Sequence, residues 1–274
     1  MTARLALASI VIVAIAAASL TGAASTASVP PPDALTLMQL SSQAGRVQDS
    51  RAQTLFRLTN AEGKTREQLA STITRQTGAG GAGTARLARF ASPSDVKGTA
   101  VLTVEQSARD DDIWLFLPAL GKVRRLQADN KRDAYMGTDL SYGDVIGYAP
   151  QEWSHRIAGS ATVDGVPCWI VESLPRTPSV AATSGYSRRV NWIRSDNAVM
   201  VRADLFDARG TVVKRIQQRA ITRVSQTPAR WQAMQISAEN LRTGHRTDVV
   251  LSAYQANTGL GADQFTPRAL ERGR

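Results

Sequence analysis

The chain has 274 residues, a single cysteine and a formal net charge of +10, carried mainly by arginine. One cysteine excludes an internal disulfide, so stability has to come from a buried core, and 43% hydrophobic residues suffice to build one. A basic balance of this size suits nucleic acid, an acidic membrane surface, an anionic lipid headgroup or an acidic partner. It is equally compatible with a solvated surface that has no specific partner.

Arg4 and the apolar run from Leu5 to Leu20 come first. The run is shorter than the ~20 residues a membrane span needs, and Ser25-Thr26-Ala27 fits the small-x-small rule for cleavage. The pattern predicts a removed signal peptide over residues 1–27, cut after Ala24 or Ala27, with a retained anchor as the alternative. No cysteine lies near the cleavage region, so lipid attachment at a mature N-terminal cysteine is excluded. Export places the mature chain, residues 28–274, in the periplasm and argues against nucleic acid as a partner.

Asp33 is positioned to cap a helix running to about Asp49, with Leu37, Leu40, Ala44 and Val47 at helical spacing. Beyond it the period changes. Strands are predicted at 52–60, 64–76, 84–91 and 98–106. Asp112-Ile-Trp-Leu-Phe-Leu-Pro118 is apolar on both pleat faces, which predicts a strand covered on both sides, with a short return at 121–126. Further strands are predicted at 154–163, 166–174, 186–194, 198–206, 211–225, 229–238 and 245–254. Asp164-Gly165, Asp196-Asn197, Ala208-Arg209-Gly210 and Thr243-Gly244 divide them as turn signals. Consecutive strands at hairpin spacing predict one antiparallel meander in a single domain, and a sheet that large curls. Residues 138–149 and the tail 259–272 are candidates for small helices or plugs against its concave face.

The motifs speak against chemistry. Gly78 to Gly83 matches a dinucleotide fingerprint in letters, but the following residues read as a strand, and a flexible hairpin loop is expected. Asp110-Asp-Asp112 lacks the spread of ligands and the closing acid of a calcium loop, so a solvated turn is expected. His155 and His245 lie in different strands without ligand spacing. Cys168, between Pro167 and Trp169, is expected to be buried and inert. No metal, cofactor or catalytic residue is assigned, and an enzyme is not expected. Arg124-Arg125 and Arg188-Arg189 sit on strands, where one member of each pair is expected to face outward. The other could neutralise a buried acid or touch a headgroup. Trp114, Trp153, Trp169, Trp192 and Trp231 are spread over separate segments, and ordinary core packing accounts for most of them.

Several runs together resemble a known family. They are Asp95-Val-Lys-Gly98, Asp111-Asp-Ile-Trp-Leu-Phe-Leu-Pro118, Val123-Arg-Arg125, Tyr135-Met-Gly-Thr-Asp139 and Val166-Pro-Cys168. Tyr186-Ser-Arg-Arg-Val-Asn-Trp192, Asp204-Leu-Phe-Asp207 and Phe265-Thr-Pro-Arg-Ala-Leu-Glu-Arg272 complete the set. From Phe90 onward the chain is similar to the outer-membrane lipoprotein-sorting-protein-like family, the LolA-like carriers.

The resemblance implies a mainly β fold: a curved antiparallel sheet forming an incomplete barrel, with helices over its open side and an apolar cavity between. It implies a monomeric periplasmic carrier for a lipid or lipidated protein, without a catalytic group. Its partners would be a lipid or acyl-chain ligand and an RND-type inner-membrane exporter or an outer-membrane acceptor. The alternative is a sensor or adaptor that uses the same fold to bind an envelope protein. Candidate cavity residues are Phe56, Leu58, Leu102, Val104, Trp114, Phe116, Val190, Trp192, Val201, Leu205 and Ile236. Hiding an acyl chain of about 14 carbons at roughly 0.8 kcal/mol per CH₂ calls for about 11 kcal/mol of shelter. A concave pocket can supply that and a flat patch cannot.

Overall fold

The computed structural model describes residues 32–106, 109–127 and 131–272. The expected signal peptide falls outside them. No helix among the described residues is long and apolar enough to cross a membrane.

Asp33 caps helix α1 (Ala34–Gln43), its carboxylate accepting the Thr36 N–H at 2.8 Å. The helix ends six residues before Asp49, because Asp49 already begins strand β1 (Asp49–Thr59). Leu40, expected on the apolar stripe, is exposed, whereas Ala34 and Leu37 are buried. Strands β2 (Thr65–Thr77), β3 (Gly83–Ser92), β4 (Ala100–Val104), β5 (Asp112–Leu117) and β6 (Lys122–Leu126) follow as hairpins. The glycine-rich stretch is the β2–β3 turn, as its strand-like sequel requires.

Short helix α2 (Tyr142–Ile146) lies in the connection to β7 (Trp153–Val163). Then come β8 (Val166–Pro175), α3 (Pro178–Ser184), β9 (Arg188–Arg194), β10 (Met200–Phe206), β11 (Val212–Ser225), β12 (Arg230–Asn240) and β13 (His245–Ala256), with α4 (Pro267–Glu271) in the tail. The Pro-led turn α3, which the sequence pattern does not show, is capped by Thr177 and closed by left-handed Gly185.

All pairings are antiparallel in one 13-stranded sheet of order β6-β5-β4-β3-β2-β1-β13-β12-β11-β10-β9-β8-β7. The meander is interrupted once. β1 pairs with β13 along its length, and β6 and β7, neighbours in sequence, are the two free edges. The break falls where the connection is too long for a hairpin. At the β1–β13 seam the buried Asp49 carboxylate accepts the N–H and hydroxyl of Thr258 and the N–H of Gly259, at 2.7, 2.8 and 3.1 Å. That joins the first strand to the chain leaving the last.

The pleat separates two cores. One face carries Phe56, Ala70, Ala88, Phe90, Val101, Ile113, Ala203, Leu205, Ile216, Ala238 and Val249, packed with Tyr135, Tyr142, Trp153 and Tyr186. The other carries Ala85, Leu87, Ala100, Leu102 and Phe116 beneath Leu260, Phe265 and Leu270 of the tail. A third cluster joins Ala34 and Leu37 of α1 to Val171 of β8 and Ile193 of β9. The Asp110 to Asp112 run is not a solvated turn. Asp111 pairs with Lys131, and Asp112 pairs with both Arg109 and Arg125. Buried carboxylates require such partners.

Candidate functional site

A cavity of about 430 Å³ opens on the first of these faces. On β1 the inward positions are Ser50, Ala52, Thr54 and Phe56, a period-2 series that puts small and polar groups where bulk would fill the space. Thr72 and Thr74 of β2 stand opposite Ala52 and Ser50, and the Thr54 and Thr72 hydroxyls meet at 2.9 Å. From the other half of the sheet come Asn191, Met200, Ala203, Ile216, Ile236, Val249 and Leu251. β3 and β9 both reach this cavity although seven strand steps separate them. In a flat sheet that is about 34 Å, so the sheet is wrapped around the space.

Two segments roof it. Met38, Ser41 and Ser42 of α1, with the following Ala44 to Val47, close one side. This segment is clamped to the sheet: the Ala44 carbonyl accepts the Trp231 N–H at 2.8 Å, and the Arg46 carbonyl accepts Arg230 Nε at 2.8 Å. Tyr135, Leu140, Asp144, Val145, Ile146 and Tyr148 close the other. Ser141 and Asp144 form a reciprocal cap on α2.

The Asp144 carboxylate is buried and fully used. It accepts from Lys214 Nζ at 2.7 Å, the Ser141 N–H at 2.9 Å, the Tyr186 hydroxyl at 3.2 Å and the Tyr148 hydroxyl at 3.3 Å. Burial would raise its pKa, but the Lys214 charge and these hydrogen bonds hold it below the ordinary carboxylate range. Burial pushes the phenols of Tyr148 and Tyr186 up and that of Tyr142 to about 12. All three stay neutral, and Tyr148 and Tyr186 donate to Asp144.

The residues expected to line a cavity divide by face. Phe56 and Ile236 line it. Leu58 and Leu205 belong to the same apolar cluster, packed beside it. Leu102, Val104, Trp114 and Phe116 pack on the opposite face under the tail. Val190 and Trp192 alternate with the cavity-facing Arg189 and Asn191 and so also point away. Arg202 lies 4.2 Å over the Trp192 ring. Val201 is buried at an irregularity in β10. Hydrophobicity alone does not tell one face from the other when both are covered.

Missing from that expectation are Arg86, the roof tyrosines and the inward small residues. One signal for Arg86 was present: Arg86 and Arg89 stand three apart on β3, so in a pleated strand they face opposite ways. Both faces are covered. Arg89 donates to the Leu270 and Ala269 carbonyls of the tail, at 3.1 and 3.0 Å, and Arg86 enters the cavity. Of the arginine pairs, Arg125 meets Asp112, and Arg189 stacks 4.5 Å from the Tyr148 ring centre at the cavity wall. Cys168 is buried and free, its thiol pKa raised by burial. Among the described residues no cluster of His, Cys, Asp and Glu could hold a metal ion.

A curved, unclosed antiparallel sheet that wraps a roofed cavity defines a mainly β protein of LolA-like fold. A family model described as "Uncharacterized protein" matches residues 83–272, and the chain belongs to that family, among the outer-membrane lipoprotein-sorting-protein-like proteins.

Two solved structures are similar over nearly their whole length. One is a DUF1329 family protein from Desulfovibrio piger, 28% identical with a TM-score of 0.79, the match covering 86% of this chain and 97% of that one. The other is a putative outer membrane lipoprotein-sorting protein domain from Vibrio parahaemolyticus, 25% identical with a TM-score of 0.79, covering 87% and 98%. A LolA superfamily protein from Nitrosomonas europaea, 16% identical with a TM-score of 0.63 over 85% and 97%, shares the fold. No curated protein matches the chain.

Proposed function

We propose that the protein is a periplasmic carrier, exported by a cleaved signal peptide. It would hold the acyl part of a lipid or lipidated protein in the roofed cavity and pass it between envelope components. The observation that carries this reading is the cavity itself: about 430 Å³, within the range of roughly 300–1,000 Å³ typical of small-molecule sites. At about 30 Å³ per methylene, close to the share of a water molecule in the liquid, it has room for about 14 methylenes. The lipoprotein-sorting description of the Vibrio relative supports the same class of cargo.

The protein acts by binding and release. The α1–β1 segment and the α2 segment serve as lids. The basic surface steers the carrier to acidic membranes and to an exporter or acceptor. Mass spectrometry of the organic extract of gently purified protein tests the proposal. One recurrent acyl species at near-stoichiometric yield is expected. Protein that is repeatedly empty and takes up no offered lipid would sink it, and a single stoichiometric protein partner without lipid would move the reading to an adaptor.

A further inference from the structure

Five charged side chains reach the cavity wall: Arg46, Arg86, Glu105, Asp144 and Arg189. Three of the five are neutralised in pairs within the protein. Arg46 Nη2 lies 2.8 and 2.9 Å from the two Glu105 oxygens, and Asp144 is held by Lys214. Arg86 is different. It projects from the middle of β3, between Thr74 of β2 and Thr103 of β4 in register. It is half-buried, opens into the cavity and makes no ion pair or hydrogen bond with any described residue. Among the described residues, the one charged group near enough to act on it is the Glu105 carboxylate, and that carboxylate is already taken by Arg46. Arg189 adds to the imbalance, since its Nε is buried without a hydrogen-bond partner.

A guanidinium does not give up its proton in a protein. A half-buried one with no acid of its own leaves an uncompensated charge at the cavity wall. An anionic oxygen group relieves it through charge-assisted, forked hydrogen bonds, which a neutral ester or alcohol cannot match. The rest of the described wall carries no charge; it mixes apolar side chains such as Phe56, Ile236 and Val249 with hydroxyls and a few amides, and has room for a chain. We infer that the cavity takes an acyl chain ending in an anionic oxygen group, a carboxylate or a phosphate, and that Arg86 pairs with that group. This names the ligand class of the carrier proposed above and rests on that reading.

Trp231 lines the cavity, so a brominated chain lodged there quenches its fluorescence. The full mature chain is titrated with dibrominated stearate and with the corresponding dibrominated stearyl alcohol. The acid is expected to bind at least about tenfold more tightly, the scale of one charge-assisted pair. In Arg86→Gln the acid should fall to the level of the alcohol, with the alcohol unchanged, and Arg86→Lys should keep part of the preference. Displacement by oleate or by oleoyl lysophosphatidate supports the inference, and the tighter of the two assigns the headgroup. Displacement by inorganic phosphate alone at millimolar concentration overturns it, because no chain would then be needed.

Equal affinity for acid and alcohol in the unaltered protein also overturns it, leaving the carrier reading intact, and this comparison decides even if Arg86→Gln fails to fold. A preference that survives in a folded Arg86→Gln removes Arg86 from the role. If neither probe binds, the carrier reading falls as well.

Discussion

Lys214 of β11 places its ammonium 2.7 Å from the carboxylate of Asp144 on α2, tying the roof of the cavity to its wall. The acid is almost wholly buried and the lysine largely so. The pair is backed by Asp139 at the other end of the same segment, whose N–H donates to the Thr247 hydroxyl at 2.9 Å while its carboxylate accepts that hydroxyl at 2.8 Å. A roof held by a few polar ties over an apolar space can open without dismantling the sheet.

Removing the cation should therefore hurt more than removing the pair. Lys214→Met leaves Asp144 charged and buried, at about 3–5 kcal/mol, whereas Lys214→Met with Asp144→Leu recovers part of that loss. Urea denaturation of the three proteins measures it. A single variant no less stable than the double one would contradict the account.

Acid should loosen the protein in a defined window. Burial raises the pKa of Asp49, but hydrogen bonds from Thr258 and Gly259 outweigh it, and Asp144 is held down likewise. Both lie below the ordinary 3.8. A carboxylate whose folded value is depressed contributes stability that is fully present above its unfolded value and is lost as pH falls through the folded one. The melting temperature should hold from pH 7 to about 5 and fall below about 4. Asp144→Asn should shallow that fall, and an unchanged acid limb would rule the group out as a contributor.

Filling the cavity should abolish binding without unfolding the sheet. Ala52 lines the cavity, while Ala88, on the same face of β3, sits in closed packing. Overpacking a filled core typically destabilises by about 1–3 kcal/mol. Ala88→Phe should show that loss. Ala52→Phe should show less of it while weakening acyl-chain uptake by about tenfold or more. Thermal melts and the quenching titration read the two effects separately.

The opposite face should matter for stability only. Leu270 of α4 is fully buried against β4, β5 and β6. Leu270→Ala should lose about 2–5 kcal/mol and leave chain affinity within twofold of the unaltered protein. A matching loss of affinity would mean that the tail cluster communicates with the cavity.

The strands were legible because hairpin turns are local. Asp164-Gly165 sits between β7 and β8, where the chain has to reverse, and left-handed Gly165 allows it. The N-terminus of α1 was legible from Asp33 for the same reason. Its end was not, because Asp49 is drawn into the sheet by Thr258 and Gly259, some two hundred residues away. The cavity was the least legible part. Trp114 and Phe116 are more hydrophobic than Ser50 or Ala52, yet they lie under the tail while the small residues face the hollow.

The amino-acid order by itself determined the hairpin succession, the curl of a sheet too large to stay flat, and the family resemblance. These depend on turn chemistry, on the two-residue period and on runs of neighbouring residues. The tertiary structure alone decided which edges stay free, which face of each strand looks inward and which arginine enters the cavity. Those outcomes follow from the pairing of β1 with β13, and a contact between the two ends of a chain leaves no local mark in either.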